Sequence, residues 1–170
     1  MVNIAMVDPQ VYINLCEFLY NEAEILDNEM YREWLEMLGE DFEYLITYVQ
    51  PEKGAKLKYS EDSFLMKANK QKLSEMVKRL YHPSGWALQD SLSRFRRIVG
   101  NIRVKEASNN TVRVRSNIAL FRIEMNEGSQ SVITGEREDL LSLNGEIRLR
   151  KRVVVLDSPS LLTYNLYFPI

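Results

Sequence analysis

Residues able to carry redox or nucleophilic chemistry are scarce in this chain. It has one cysteine, Cys16, and one histidine, His82, among 170 residues. A single cysteine excludes an intramolecular disulfide framework and any cysteine-rich zinc or iron–sulfur site. A single histidine excludes an iron centre with two histidine ligands taken from this chain alone. These counts exclude most classes of metalloenzyme.

Carboxylates and tyrosines remain as candidates for acid–base chemistry. A buried carboxylate or histidine facing a tyrosine or an acid can act as a base once its pKa is shifted. The candidates are Asp27, Asp41, Glu43, His82 and nine tyrosines. None of them forms a recognisable pair. We interpret Glu22 and Asp27 as hydrogen-bond anchors between helix and sheet, His82 as a surface or capping residue, and Cys16 as a small apolar side chain.

The elements that position these residues begin with a helix whose two ends are marked. Asp8-Pro9 combines an N-cap residue with a proline in the first turn. Apolar residues then recur at steps of three and four as far as Asp27. This pattern predicts an amphipathic helix with one stripe facing a core.

Two further helices and one strand are predicted before residue 90. A short helix covers 30–38, with Gly39 as its left-handed C-cap. Alternation over 42–48 predicts a strand, and the third helix covers 70–80. The remaining stretches, 51–62 and 81–93, are predicted to be loops.

From Arg94 onward the pattern has a period of two. It predicts four strands at 95–105, 111–125, 131–143 and 146–156. The separators are hairpin signals, and Asn144-Gly145 predicts a type I′ turn. The strands therefore form an antiparallel meander, and their length predicts strong curvature.

Alternation along these strands assigns side chains to two faces. Val112, Val114, Ile118 and Leu120 are predicted to face the helices. On the last strand, Arg148, Arg150 and Arg152 are predicted to lie on the opposite, outer face. The fold class is therefore α+β, with helices first and sheet second.

Composition and charge indicate one soluble globular domain over residues 1–170. Hydrophobic residues make up 45% and charged residues 27%. Residues 1–64 hold 4 Lys or Arg and 14 Asp or Glu, whereas 65–170 hold 18 and 10. No nucleic-acid motif accompanies the basic half. No signal peptide or membrane span is visible, so we expect a cytoplasmic protein.

Several short segments form a recognisable series along the chain. They are FLYNEAEILD at 18–27 with YREWL at 31–35, Gly85-Trp86, SRFRRIVGN at 93–101, VRSN at 114–117, GERED at 135–139 with Asn144-Gly145, VVLD at 154–157, and Asn165-Leu166. Over about residues 11–170, the series resembles the small (β) subunits of aromatic-ring-hydroxylating dioxygenases.

The resemblance implies a fold. It is a conical roll of the cystatin-like type, similar to nuclear transport factor 2 and scytalone dehydratase, with N-terminal helices packed on a long, curved antiparallel sheet.

The resemblance also implies a set of partners. A large (α) subunit holds a Rieske 2Fe–2S cluster and a mononuclear Fe(II), and three α and three β subunits form a hexamer that contains a β trimer. A reductase, often with a ferredoxin, passes electrons from NADH, and both atoms of O₂ enter the arene as a cis-dihydrodiol. The Rieske cluster needs two Cys and two His, so this chain cannot hold it. We expect no catalytic, cofactor or metal residue here, only a role in assembly.

Eight residues are candidates for contacts between subunits: Arg94, Arg96, Arg97, Arg115, Arg152, Trp86, Tyr164 and Phe168. The arginines lie on adjacent predicted strands, where unpaired they would repel one another. Glu136, Glu138 and Asp139 offer cross-strand partners, and the acidic half of a neighbouring subunit offers more. A merely solvated face is the alternative. The apolar stretch 161–170 either completes the sheet or lines an interface.

A second class of function stays open from the sequence. The same conical fold also serves free-standing isomerases, dehydratases and small-molecule binding proteins. Turnover of a substrate without a partner subunit would favour that class.

Overall fold

A computed structural model describes residues 7–49, 63–82, 93–108, 110–158 and 169–170. Its helices and strands are α1 (Pro9–Asp27), α2 (Tyr31–Glu36), β1 (Leu38–Tyr48), β2 (Phe64–Asn69), α3 (Lys70–Leu80), β3 (Ser93–Ala107), β4 (Thr111–Glu124), β5 (Gln130–Ser142) and β6 (Arg148–Leu156). The predicted loop at 51–62 and most of that at 81–93 lie outside the described residues. Within the described ranges, no helix is long and apolar enough to span a bilayer.

The predicted first and third helices are confirmed, and side chains cap both. Asp8 Oδ1 accepts a hydrogen bond from the backbone N of Gln10 at 2.8 Å, which fixes the start of α1. Asn69 Oδ1 accepts one from the backbone N of Lys72 at 2.9 Å, which fixes the start of α3. Each helix therefore begins where its sequence pattern predicts.

The second helix is shorter than predicted, and Gly39 does not cap it. α2 ends at Glu36, and β1 begins at Leu38, which is fully buried. Gly39 lies inside β1 and has no positive φ. Pairing of Leu38 with Leu149 of β6 starts the strand at once, and this pairing ends the helix early.

The six strands form one sheet in the order β2-β1-β6-β5-β4-β3. Strands β3 to β6 pair antiparallel in succession, which confirms the meander. β1 pairs with β6 in parallel and with β2 antiparallel. Strand β2 was not predicted, because Phe64–Asn69 has no β-branched residue and no period of two. It forms as an edge strand through its pairing with β1.

A bulge in β6 changes the predicted faces of the last strand beyond Arg150. Leu149 and Lys151 pair with consecutive residues of β5, so Arg150 is an extra residue between them. Side chains alternate between faces along a strand, so one inserted residue exchanges the faces beyond it. Arg152 and Val154 therefore point inward and are buried. The prediction of Arg152 on the outer face is wrong.

The hairpin between β5 and β6 also differs from its prediction. A type I′ turn needs positive φ at both central residues. Gly145 has a φ of 76°, whereas Asn144 is not in the left-handed region. The last residue pair, Ser142 with Arg148, leaves a longer loop than a two-residue turn.

The helices cover one face of this sheet. α1 packs against β3, and α3 packs against β1 and β2. The four β4 residues predicted to face the helices are buried: Val112, Val114, Ile118 and Leu120. Ser116 and Arg122 are buried on the same strand face. The inner face of the sheet thus carries charged groups among its apolar ones.

Candidate functional site

Four charged side chains meet inside the roll: Glu22, Arg137, Asp139 and Arg152. We call them the charge cluster. Each has at most 1% of its side chain exposed. Arg152 Nη1 and Nη2 donate to the two carboxylate oxygens of Glu22, both at 2.7 Å. Its Nε and Nη2 donate to the two oxygens of Asp139 at 2.7 and 2.9 Å. Arg152 thus makes a bidentate contact with each carboxylate.

Arg137 is the less satisfied cation of the cluster. Its Nη1 lies 3.5 Å from Glu22 Oε2, and its Nε donates to Ser116 Oγ at 3.4 Å. Its Nη2 has no hydrogen-bond partner in the described part of the chain. Burial lowers the pKa of Arg137, and repulsion from Arg152 lowers it further.

Three elements supply the four members of the cluster. Glu22 lies on the buried stripe of α1, between Leu19 and Leu26. Arg137 and Asp139 are two residues apart on β5, and so they share its inner face. The bulge in β6 adds Arg152. The predicted anchoring role of Glu22 is confirmed.

Electrostatics keep Glu22 and Arg152 ionised. Burial alone would raise the pKa of Glu22, but Arg152 and Arg137 lower it to about 2. Burial alone would lower the pKa of Arg152, but Asp139 and Glu22 hold it well above its usual range. The cluster combines two basic and two acidic side chains. Glu22 and Arg152, with such pKa values, do not exchange protons at neutral pH, which suits them to a structural role.

Two aromatic residues border the cluster. Trp34 is fully buried, and its Nε1 donates to Glu22 Oε1 at 3.0 Å. Tyr44 is buried too, and burial raises its pKa above the ordinary value for a phenol. Trp34 is therefore a core residue.

Asp27 forms a second anchor between α1 and the sheet. Both of its carboxylate oxygens accept from the backbone N of Arg97 at 3.0 Å. Asp27 Oδ1 also accepts from Arg97 Nη1 at 2.9 Å. The predicted anchoring role of Asp27 is confirmed, and Arg97 is its partner.

The predicted interface arginines divide into two groups. Arg97 and Arg152 have no exposed side-chain surface, and all their contacts described above are within the chain. A buried side chain cannot pair with a neighbouring subunit, so we correct the interface assignment of these two. Arg94 and Arg96 are exposed, and Arg115 is partly exposed. Three other candidates, Trp86, Tyr164 and Phe168, lie outside the described residues.

The predicted acidic partners on β5 are found in contact with arginines. Arg113 Nη1 donates to Glu138 Oε1 at 2.8 Å. Arg115 Nε lies 3.3 Å from Glu136 Oε1. These pairs are partly exposed and reduce repulsion among the arginines on the outer face, although each contributes little to stability.

The outer face of the sheet also carries exposed apolar groups. Ile98 is 57% exposed and Val132 is 50% exposed. Val132 pairs with Phe121, and Phe121 pairs with Arg96 on the next strand. A depression of about 270 Å³, lined in part by Ile98, lies on β3, β4 and β5. Apolar patches ringed by charge are typical of subunit contacts.

The remaining candidates for chemistry do not converge. His82 is exposed at the end of α3, and Cys16 is half-buried on α1. The hydrogen bond between Tyr12 and Cys16 raises the pKa of Tyr12. In the described part of the chain, no three His, Cys, Asp or Glu side chains are grouped so that they could hold a metal ion.

The fold and the charge cluster together define the structural class of the protein. The chain is a conical α+β roll, the fold also seen in a scytalone dehydratase homologue from Novosphingobium aromaticivorans, with a TM-score of 0.65 and 13% identity over 94% of this chain and 92% of that one. The predicted fold class is confirmed. In this chain, the charge cluster lies inside the roll.

Comparison with known proteins identifies the family. The family model described as "Ring hydroxylating beta subunit" matches residues 21–162. A chain of naphthalene 1,2-dioxygenase, solved with indole in its active site, has a TM-score of 0.81 and 25% identity over 98% of this chain and 89% of its own. The N,N-dimethyl phenylurea N-demethylase β subunit of a Sphingobium species is 30% identical over 88% of this chain and 85% of its own. The chain belongs to the ring-hydroxylating β-subunit family.

Membership in this family settles the general role of the chain. It is the small subunit of a terminal oxygenase of the aromatic-ring-hydroxylating type, and thus part of an oxidoreductase complex. A β subunit implies an α subunit as its partner. The resemblance stated from the sequence is confirmed.

Proposed function

We propose that this β subunit is non-catalytic and that its function is to assemble the oxygenase. The charge cluster carries this proposal. The interior of the roll, where a conical enzyme of this class would need acid–base groups, contains ionised pairs that do not exchange protons at neutral pH. What the chain offers to a partner is therefore its surface.

The proposed complex has three α and three β subunits, with a trimer of β chains. The α subunit supplies the Rieske cluster and the mononuclear iron, because one cysteine and one histidine cannot supply the ligands for either. NADH reduces the complex through a reductase and a ferredoxin, and the product is a cis-dihydrodiol of an arene. A cytoplasmic location stays a prediction from the sequence.

The outer face of β3, β4 and β5 is the proposed contact surface. It combines exposed Ile98 and Val132 with the exposed side chain of Arg94. Arg96 is exposed as well, but its Nη1 lies 3.5 Å from Asp27 Oδ2 of α1. Arg94 makes no ion pair in the described part of the chain, so its charge is available to an acidic group of another subunit. Arg115 lies on the same face, with its Nε 3.3 Å from Glu136 Oε1.

Co-expression with the α subunit tests the proposal. We expect an affinity-tagged β chain to co-purify with α as a brown, iron-containing complex, and native mass spectrometry to give three copies of each. The variant Arg94→Glu should lose α, the β trimer or both, while its circular dichroism stays that of the wild type. Lys78→Glu, on the exposed side of α3, is the matched control and should leave the complex intact.

Two results would contradict the proposal. An intact hexamer from Arg94→Glu would contradict the proposed contact surface. A colourless β chain that turns over a substrate without α would contradict the proposed assembly role and favour a free-standing enzyme.

A second candidate concerns the reaction of the whole complex. The relative with 30% identity is named as the β subunit of an N-demethylase. Oxidative demethylation releases formaldehyde, whereas ring dihydroxylation retains both oxygen atoms in a diol. Assays of the purified complex for formaldehyde and for a cis-diol distinguish the two reactions.

A further inference from the structure

Residues Pro169 and Ile170 occupy a buried site between the helices and the sheet. Ile170 is fully buried within the hydrophobic core. Its backbone N donates to Tyr44 Oη at 2.9 Å, and Tyr44 Oη donates to the carbonyl oxygen of Ile170 at 3.2 Å. Arg97 Nη2 donates to the carbonyl oxygen of Pro169 at 2.6 Å. We call the space filled by these two residues, bordered by Tyr44 and Arg97, the tail pocket.

One wall of the tail pocket is apolar and closely fitted. Pro169 lines a residual cavity of about 10 Å³ together with Tyr31, Trp34, Met76 and Leu80. That volume is close to the minimum for one water molecule. Without Pro169 and Ile170 the cavity would gain the volume of two apolar side chains, and apolar cavities of such a size bind small rings.

Arg97 adds a polar side to the pocket, where one hydrogen-bond donor has no acceptor. The side chain of Arg97 has no exposed surface, and its Nη1 pairs with Asp27. Its Nε has no hydrogen-bond partner in the described part of the chain. A buried donor without an acceptor is costly, and a carboxylate with two oxygens is the acceptor that best matches the fork of a guanidinium. The carbonyl of Pro169 supplies one neutral oxygen instead.

We propose that the tail pocket is a binding site for a small apolar carboxylate and that Pro169 and Ile170 compete for it. The apolar body of the ligand takes the place of the two side chains. Its carboxylate accepts from Arg97 and from Tyr44 Oη. The ligand can bind only when Pro169 and Ile170 have left the pocket. Its apparent affinity is therefore the intrinsic affinity multiplied by the fraction of molecules in which the pocket is open. Their undocking is a local event that requires less free energy than global unfolding.

Benzoate is the probe for this site, because it combines one ring with one carboxylate. The full chain is compared by isothermal titration with a variant that ends at Phe168, after circular dichroism has shown that both are folded. We expect the shortened variant to bind benzoate at least tenfold more tightly. Benzylamine, with the same ring and the opposite charge, is the matched control ligand and should not bind. N-acetyl-Pro-Ile should displace benzoate.

Two further variants test whether Tyr44 and Ile170 control benzoate binding. Tyr44→Phe in the shortened chain retains the ring, removes the hydroxyl, and should weaken benzoate binding at least threefold. If the shortened chain does not fold, Ile170→Ala in the full chain should gain at least threefold in benzoate affinity. Equal benzoate affinity with and without the two residues, equal binding of benzylamine, or no gain from Ile170→Ala would each overturn the proposal. These readouts need no α subunit, so they are independent of the assembly role.

Discussion

Replacing Glu22 with glutamine tests whether the charge cluster fastens α1 to the sheet. The substitution retains size and shape, but leaves two buried guanidiniums facing Asp139 alone. Removing one partner of a buried ion pair costs about 3–5 kcal/mol. The lowered pKa of Glu22, about 2 against 4.5, corresponds to about 3 kcal/mol at about 1.36 kcal/mol per unit. The two values agree on a loss of about 3 kcal/mol.

Urea unfolding of the full chain at pH 7 measures this loss, with circular dichroism and tryptophan fluorescence as probes. Trp34 reports on the cluster directly, since it donates to Glu22. Domains of this size have about 5–15 kcal/mol of stability, so the transition should move far to lower urea. Glu24→Gln, exposed on the same helix, is the matched control and should change stability by less than about 0.5 kcal/mol. A loss below about 1 kcal/mol for Glu22→Gln would refute the electrostatic account of the cluster.

Three further predictions concern the pH dependence of stability, the close packing of β5 on β6, and the buried position of Arg152. The pKa of Glu22 is lower in the folded chain than in the unfolded one, so its stabilising contribution is present above about pH 4.5 and is lost as the pH falls towards 2. Urea unfolding from pH 7 to pH 2 should show a decline of about 3 kcal/mol that Glu22→Gln lacks. Gly135→Ala places a Cβ 2.5 Å from the carbonyl oxygen of Val155 and should cost about 1–3 kcal/mol, whereas Gly100→Ala, with open space around it, should not; thermal unfolding compares them. Arg152→Glu should give insoluble protein and not a folded monomer, and a folded monomer would contradict its buried role.

Local patterns predict the elements well where local interactions decide them. Asp8 and Asn69 cap their helices through their own side chains, so the helix starts can be predicted from neighbouring residues. The meander follows from alternation and hairpin signals, since consecutive strands pair with each other. Strand β2 could not be predicted in this way. It depends on β1, its only partner in the described sheet, and not on its own composition.

The candidate site was predicted only in part, because a single residue decides its geometry. The sequence offers Asp139 as a cross-strand partner for the arginines, and Asp139 does pair with Arg152, although on the inner face. The position of Glu22 on the helix indicates an anchor. The bulge at Arg150 leaves no mark in the sequence, yet it moves Arg152 from the outer face to the interior. A register shift depends on pairing across strands, which a linear pattern does not contain.

The contact of Pro169 and Ile170 with Arg97 and Tyr44 could not be predicted either. Seventy-two residues separate Arg97 from Pro169, and 126 separate Tyr44 from Ile170. The apolar character of 161–170 predicts that the segment is covered, but not by what. Contacts over such separations depend on the whole fold.

The parallel pairing of β1 with β6 constrains how the protein is made. On the ribosome, β1 is complete about a hundred residues before β6 begins, so one of its edges has no neighbour throughout the synthesis of the meander. Exposed strand edges recruit other chains, and distant pairings form slowly. The nascent β subunit is therefore most prone to aggregate just before its last strand emerges, and translation pauses or chaperone binding near residue 148 would have their greatest effect there.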